Sequence, residues 1–187
     1  MKSILLSFFF LLIAFVSNAQ PQYGDLTLGS GIHMYYHSSP SAPPTYGGSF
    51  NPGAGIFVTD HLMIGSATIC NFSSFETYGF RINNLVLGLA PRIAYYFGSG
   101  PWQPYLSTSF GFAAYSTREF IDQYTPQTTA MGDLLFQAEA GAVYWLSKQI
   151  GLSFSLNFST GQPLEDPEDF THEGLSGNIG LQYIWPK

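Results

Sequence analysis

From residue 25 onward, bulky apolar and small polar side chains alternate along the chain. Between Ile150 and Thr160, one face carries Ile150, Leu152, Phe154, Leu156 and Phe158, and the other Gly151, Ser153, Ser155, Asn157 and Ser159. The pattern returns over Leu175–Trp185, where Leu175, Ile179, Leu181, Tyr183 and Trp185 oppose Ser176, Asn178, Gly180 and Gln182. A period of two sustained this long is a β-strand lying between two unlike environments.

The alternation predicts eight strands, at 25–36, 49–59, 62–72, 82–97, 102–115, 131–146, 150–160 and 175–185. The connections between them alternate in length. Asp60-His61, Gly98–Pro101 and Ser147–Gln149 are short, whereas 37–48, 73–81, 116–130 and 161–174 are long. In an up-and-down sheet, all short turns then fall at one end and all long loops at the other. An even strand number brings both chain ends to the short-turn end, as in transmembrane barrels with short periplasmic turns.

Charge placement decides which face meets what. The strands contain only Asp25, Arg92, Asp133 and Glu139 as charged residues. Charged residues make up 10% of the chain, against about a quarter in a soluble domain. A soluble barrel points its bulky apolar face inward and needs Lys and Glu outside. Here the second face is Gly, Ser, Asn and Gln, which suits a narrow interior, so the Leu, Ile and Phe face meets lipid. Closure pairs every backbone donor and acceptor, as hydrocarbon demands. The predicted fold class is an all-β, eight-stranded, antiparallel, up-and-down transmembrane β-barrel.

Met1–Ala19 has the pattern of a secretory signal peptide. Lys2 precedes the apolar run Ile4–Val16, and Ser17-Asn18-Ala19 supplies small residues for cleavage after Ala19. The run is shorter than the ~20 residues a spanning helix needs. Residues 20–187 form one barrel domain on this reading, with a charge of −7 once Lys2 is removed from the full chain's −6. That charge excludes a nucleic-acid partner, which calls for a basic face. Cys70 is the only cysteine, so no internal disulfide forms.

Aromatic residues gather where interfacial girdles belong. Tyr95, Tyr96, Phe97, Trp102, Tyr105, Tyr144, Trp145, Tyr183 and Trp185 lie near the short-turn end; Tyr35, Tyr36, Phe50, Phe72, Phe75 and Tyr115 lie near the other. With these features the chain resembles the small eight-stranded outer-membrane β-barrel families of Gram-negative bacteria. The last strand also resembles the C-terminal signal read by the barrel-assembly machinery. It departs from that signal by adding Pro186-Lys187 after the aromatic Trp185. The resemblance implies an outer-membrane location, with outer-membrane lipid and lipopolysaccharide as surroundings and a larger outer-membrane protein complex as a candidate partner.

By parity, His33, Asn84, Arg92, Gln137, Glu139, Asn157, Asn178 and Gln182 point inward. An eight-stranded interior is just wide enough for side chains to fill it. Arg92 and Glu139, on the fourth and sixth strands, are expected to pair across it and plug it with hydrogen bonds. The alternative is a narrow ion path. Loop 161–174 concentrates Glu165, Asp166, Glu168, Asp169 and Glu173 beside His172, read as a solvated acidic loop without EF-hand spacing. Loop 37–48, rich in Pro, Ser and Gly, is read as extended and poorly packed. Some barrels of this size are lipid A deacylases that carry a His-x-Ser motif on a late strand. The nearest counterpart here is Asn157-Phe158-Ser159, and asparagine cannot accept the nucleophile's proton. The expected role is therefore non-enzymatic, structural or partner-binding, without cofactor or resident metal; a lipid A hydrolase and a narrow channel are the alternatives.

Overall fold

The structure, a computed structural model, describes residues 21–39, 42–77, 80–120, 126–163 and 172–187. The expected signal peptide lies outside these residues. Eight strands follow one another: β1 (Leu26–Ser39), β2 (Ala42–Phe57), β3 (Leu62–Thr77), β4 (Phe80–Tyr96), β5 (Trp102–Phe120), β6 (Pro126–Trp145), β7 (Ile150–Pro163) and β8 (His172–Trp185). Each pairs antiparallel with its sequence neighbours, and β8 returns to β1, closing the barrel. At the short-turn end the strands start and stop within two residues of the positions the alternation predicts.

At the far end the strands run well past the predicted limits. The described residues of segments 37–48, 73–81, 116–130 and 161–174, expected as long loops, belong to the ladder: β1–β2 pairing reaches Ser39–Ala42, β3–β4 Thr77–Phe80, β5–β6 Phe120–Pro126 and β7–β8 Gly161–His172. The composition of these segments is poor for strands, yet a hairpin partner already in register keeps supplying hydrogen bonds. Tertiary pairing outweighs local propensity there. Inside β2, Pro52 has no N–H to donate, and the β2–β3 ladder skips positions 50–52. Side chains mend the gap: Asn51 Oδ1 accepts the Cys70 N–H at 3.2 Å, and Thr68 Oγ1 donates to the Pro52 carbonyl at 2.5 Å.

The register fixes the stagger. Partners traced from Leu26 through Ile56, Ile64, Ile93, Thr108, Ala138 and Phe158 arrive at Leu175, which the β1–β8 register, extended past its last pair, sets level with Tyr36, ten residues further on. With a rise of ~3.3 Å and a spacing of ~4.8 Å, that shear tilts the strands about 40°.

Large apolar side chains face outward from every strand. On β4 the outward apolar run extends from Tyr95 to Leu85, and on β5 from Trp102 to Phe112. Above it come the outward Asn83 and Arg81 on β4 and Ser116 and Arg118 on β5. Arg81 Nη2 donates to Tyr46 Oη at 2.7 Å, and Ser74 Oγ donates to Asn83 Oδ1 at 2.7 Å. The outward apolar run beneath this polar border therefore spans about ten residues, or 25 Å, the height of a transmembrane barrel's apolar band.

The segments flanking the first and last strands meet beneath the barrel. Asp25 accepts the Gln22 N–H at Oδ2 (2.9 Å) and the Lys187 N–H at Oδ1 (3.2 Å). Gly24 takes φ +90°, which a side chain would disfavour, and Lys187 passes against it and over the Tyr23 ring.

Candidate functional site: a polar network above an aromatic plug

The interior has three storeys. The lowest is apolar: Phe57, Met63, Ala94, Tyr96, Tyr105, Val143, Trp145 and Ile184 form one buried cluster at the short-turn end. Tyr96 lies 5.3 Å from both the Phe57 and Tyr105 ring centres. Trp145 Nε1 donates to Gln103 Oε1 at 2.7 Å, satisfying two polar groups that burial would otherwise strand. Gly151, opposite Trp145 in the register, leaves room for that ring. A Cβ there would fall 2.5 Å from Val143 Cγ1 and 2.8 Å from Trp145 Cε3.

This storey corrects the girdle reading. Tyr96, Tyr105 and Trp145, expected on the lipid-facing rim, are fully enclosed. They share parity with inward polar residues of their own strands, Arg92, Ser107 and Glu139. The inner wall near the short turns has volume to fill, and aromatic rings fill it. Tyr95, Phe97, Trp102 and Trp185 do face outward at this level, with Tyr144 against Trp102 and Tyr183 against Trp185. At the other border Phe50 and Phe72 are exposed, while Tyr115 lines the interior. The side chains of Tyr35, Tyr36 and Phe75 lie outside the described residues.

The middle storey is polar. Arg92 Nη2 donates to Glu139 Oε2 at 2.6 Å, and Arg92 Nε to Ser107 Oγ at 3.2 Å. Glu139 also accepts from Tyr105 Oη (2.8 Å) and Ser107 Oγ (3.0 Å), and the guanidinium sits 5.9 Å from the Tyr105 ring centre. Ser109 donates to Gln137 Oε1 at 3.3 Å, and Tyr96 Oη to Gln182 Oε1 at 3.3 Å. Around this network only about 60 Å³ is free, lined in part by Gln137, Asn157, Asn178 and Gln182. That is room for a few waters at roughly 10–15 Å³ each. Six of the eight residues expected inside thus meet in one layer.

The upper storey is a cup of about 430 Å³ at the far end. His33 and Asn84, the other two expected interior residues, line it with Ser49, Asn71, Ser73, Tyr115, Ser159 and Ser176. Asn84 Nδ2 donates to Ser73 Oγ at 3.2 Å, whereas its buried Oδ1 has no hydrogen-bond partner. No Asp, Glu, Lys or Arg lines the cup among the described residues.

Gln103, Ser107 and Ser109 complete the lower and middle layers beside Tyr105, yet sequence reasoning did not single these three out. Their common parity along β5 was the available signal. Glu165, Asp166, Glu168 and Asp169 lie outside the described residues; Glu173 is placed by its backbone, opposite Thr160. For hydrolase chemistry, His33 and Ser159 share the cup, but no carboxylate lines it among the described residues. Nor do the described residues include a His, Cys, Asp and Glu grouping able to hold a metal.

Closed, antiparallel, apolar outside and polar within, this is the fold of the small eight-stranded outer-membrane β-barrels of Gram-negative bacteria. It is similar to Ail, the attachment invasion locus protein of Yersinia pestis, with TM-score 0.60 and 9% identity over 88% of this chain and 100% of that one. The outer membrane protein OprG from Pseudomonas aeruginosa gives 0.51 and 11%, covering 91% and 100% of the two chains. Neisserial surface protein A gives 0.51 and 14%, covering 86% and 96%. No family model matches the chain. No curated protein matches it either.

Proposed function

We propose that this protein is an integral outer-membrane barrel without catalytic activity, exported by cleavage after Ala19, whose work is structural or partner-binding. The observation that carries this reading is the stopped lumen. The aromatic cluster fills the short-turn end, and the Arg92–Glu139 network fills the middle, leaving about 60 Å³. A diffusion pore needs a continuous wet path, and a triad needs a carboxylate that the described cup does not offer. The apolar outer wall supports the membrane setting, with lipid and lipopolysaccharide around it, alone or within a larger complex.

Planar-bilayer recording tests the central point. The wild-type barrel is expected to give no steady conductance, and Trp145→Ala, which opens the plug, to give intermittent small openings. Steady wild-type conductance that Arg92→Ala alters would establish the channel alternative instead. Gentle extraction from native membranes, followed by the intact particle's mass, distinguishes a lone barrel from a subunit.

A further inference from the structure

The eight seams of the barrel are unequal. Seams whose strands are joined at the short-turn end carry ten register pairs (β2–β3), fourteen (β4–β5) and thirteen (β6–β7). The closing seam, β1–β8, carries seven, from Leu26–Trp185 to Ile32–Ile179. Among the described residues no β1–β8 pair lies beyond that point, although β1 continues to Ser39 and β8 begins at His172.

The last pair lies within the apolar band. At about 2.5 Å of height per tilted residue, Ile32 stands roughly 15 Å above Leu26, in a band about 25 Å tall. Outward apolar residues continue above it on both strands: Met34 is 77% exposed and Leu175 75%, the highest values among the large apolar side chains of the described residues. Backbone edges at such depth are tolerated only where they border protein or a wet cavity. The 430 Å³ cup is directly behind this gap, lined by His33 from β1 and by Gly174, Leu175 and Ser176 from β8.

We propose that the gap between β1 and β8 is a lateral mouth. Through it a single-chain amphiphile of the outer leaflet, with a neutral hydroxyl-bearing head, seats that head in the cup and leaves its acyl chain between Met34 and Leu175. This inference rests on the outer-membrane reading above. The head is neutral because no Asp, Glu, Lys or Arg lines the cup among the described residues, so hydroxyls, amides and the His33 imidazole make up its polar lining. Ser49, Ser73, Ser159 and Ser176 both donate and accept, as hydroxyls on a ligand do, and Asn84 Oδ1 is a buried acceptor facing the cup with no protein donor. The volume is at the lower end of the ligand-pocket range of about 300–1,000 Å³, which suits a small head and one chain rather than two.

The test uses a monoacylglycerol carrying a photoreactive diazirine on the first carbons of its chain, mixed at low mole fraction into phosphatidylcholine vesicles containing the full barrel. Cross-linked peptides are mapped by mass spectrometry. Labelling is expected to concentrate several-fold on the β1 and β8 peptides around Met34 and Leu175 relative to Leu106 and Phe112 on β5. Unlabelled monoacylglycerol should compete it away. In Ser159→Trp, which fills the cup, the excess should vanish while labelling of β5 remains; heat-modifiable migration on detergent gels confirms that the variant is folded. Equal labelling around the belt overturns the mouth, as does an excess that survives Ser159→Trp. Absence of labelling at every belt residue would overturn the membrane reading itself, a distinguishable failure.

Discussion

The two ends of the lumen are built on the same alternation and differ in almost everything else. Near the short turns the inward positions are Phe57, Met63, Tyr96, Tyr105 and Trp145, and they close into a dry core. At the far end they are Ser49, Ser73, Ser159 and Ser176, and they leave a cup. Strand number and shear set one radius for the whole cylinder, so the interior is plugged or hollow according to side-chain volume alone. Between the two, the Arg92–Glu139 pair is the lid of the plug and the floor of the cup.

The sharpest way to break this contrast is to remove the charge partner at the boundary. Glu139→Ala leaves Arg92 enclosed without its carboxylate and is expected to cost about 3–5 kcal/mol. Ser159→Ala in the cup should stay within about 0.5 kcal/mol. Denaturant midpoints of the reconstituted barrel measure both, and equal costs would mean that the middle storey is as loosely held as the cup. A second pair of variants separates the two faces of the wall. Leu156→Arg places a cation on the outward face of β7 and should cost ~2–4 kcal/mol, with the inward Ser155→Ala costing less than about 1 kcal/mol. The reverse order in the same unfolding assay would invert inside and outside.

The smallest effect compares two inward glycines. Gly151→Ala drives a methyl against Trp145 and Val143 in the plug, for an expected ~1–3 kcal/mol. Gly174→Ala meets only Ser159 Oγ, at 3.4 Å, and should be nearly neutral. Matching midpoints for the two would show that the plug yields as readily as the cup.

How much of this was legible in the sequence follows the same division. Parity alone turned Arg92, Glu139, Gln137, Asn157, Asn178 and Gln182 inward with His33 and Asn84, because a polar side chain in an apolar-walled strand has one face to occupy; that the first six share one layer is seen only in the structure. Tyr105 has the parity of the inward Ser107, a signal that the sequence reading did not use. The clustering of aromatics near the turns nevertheless suggested a girdle, and an aromatic residue fits either side of a barrel wall at that height. Only the register shows which rings lack lipid neighbours. The far-end strands were hidden for another reason. Residues such as those of 42–48 carry little strand propensity, and their order comes from a hairpin partner rather than from themselves. The short β1–β8 seam is set by residues almost a whole chain apart, and no local pattern announces it.

The clasp at Asp25 bears on how the barrel comes into being. One carboxylate gathers the residues that open the first strand and the residue that follows the last, 162 positions apart. The entropic cost of closing a loop grows with its length, so this junction is expected to form late during assembly. It also joins the seam with the fewest rungs, and on a gradual return to the unfolded state the cylinder should part there first. The wall thus has a built-in beginning and end, and its strength is set by the place where the chain meets itself.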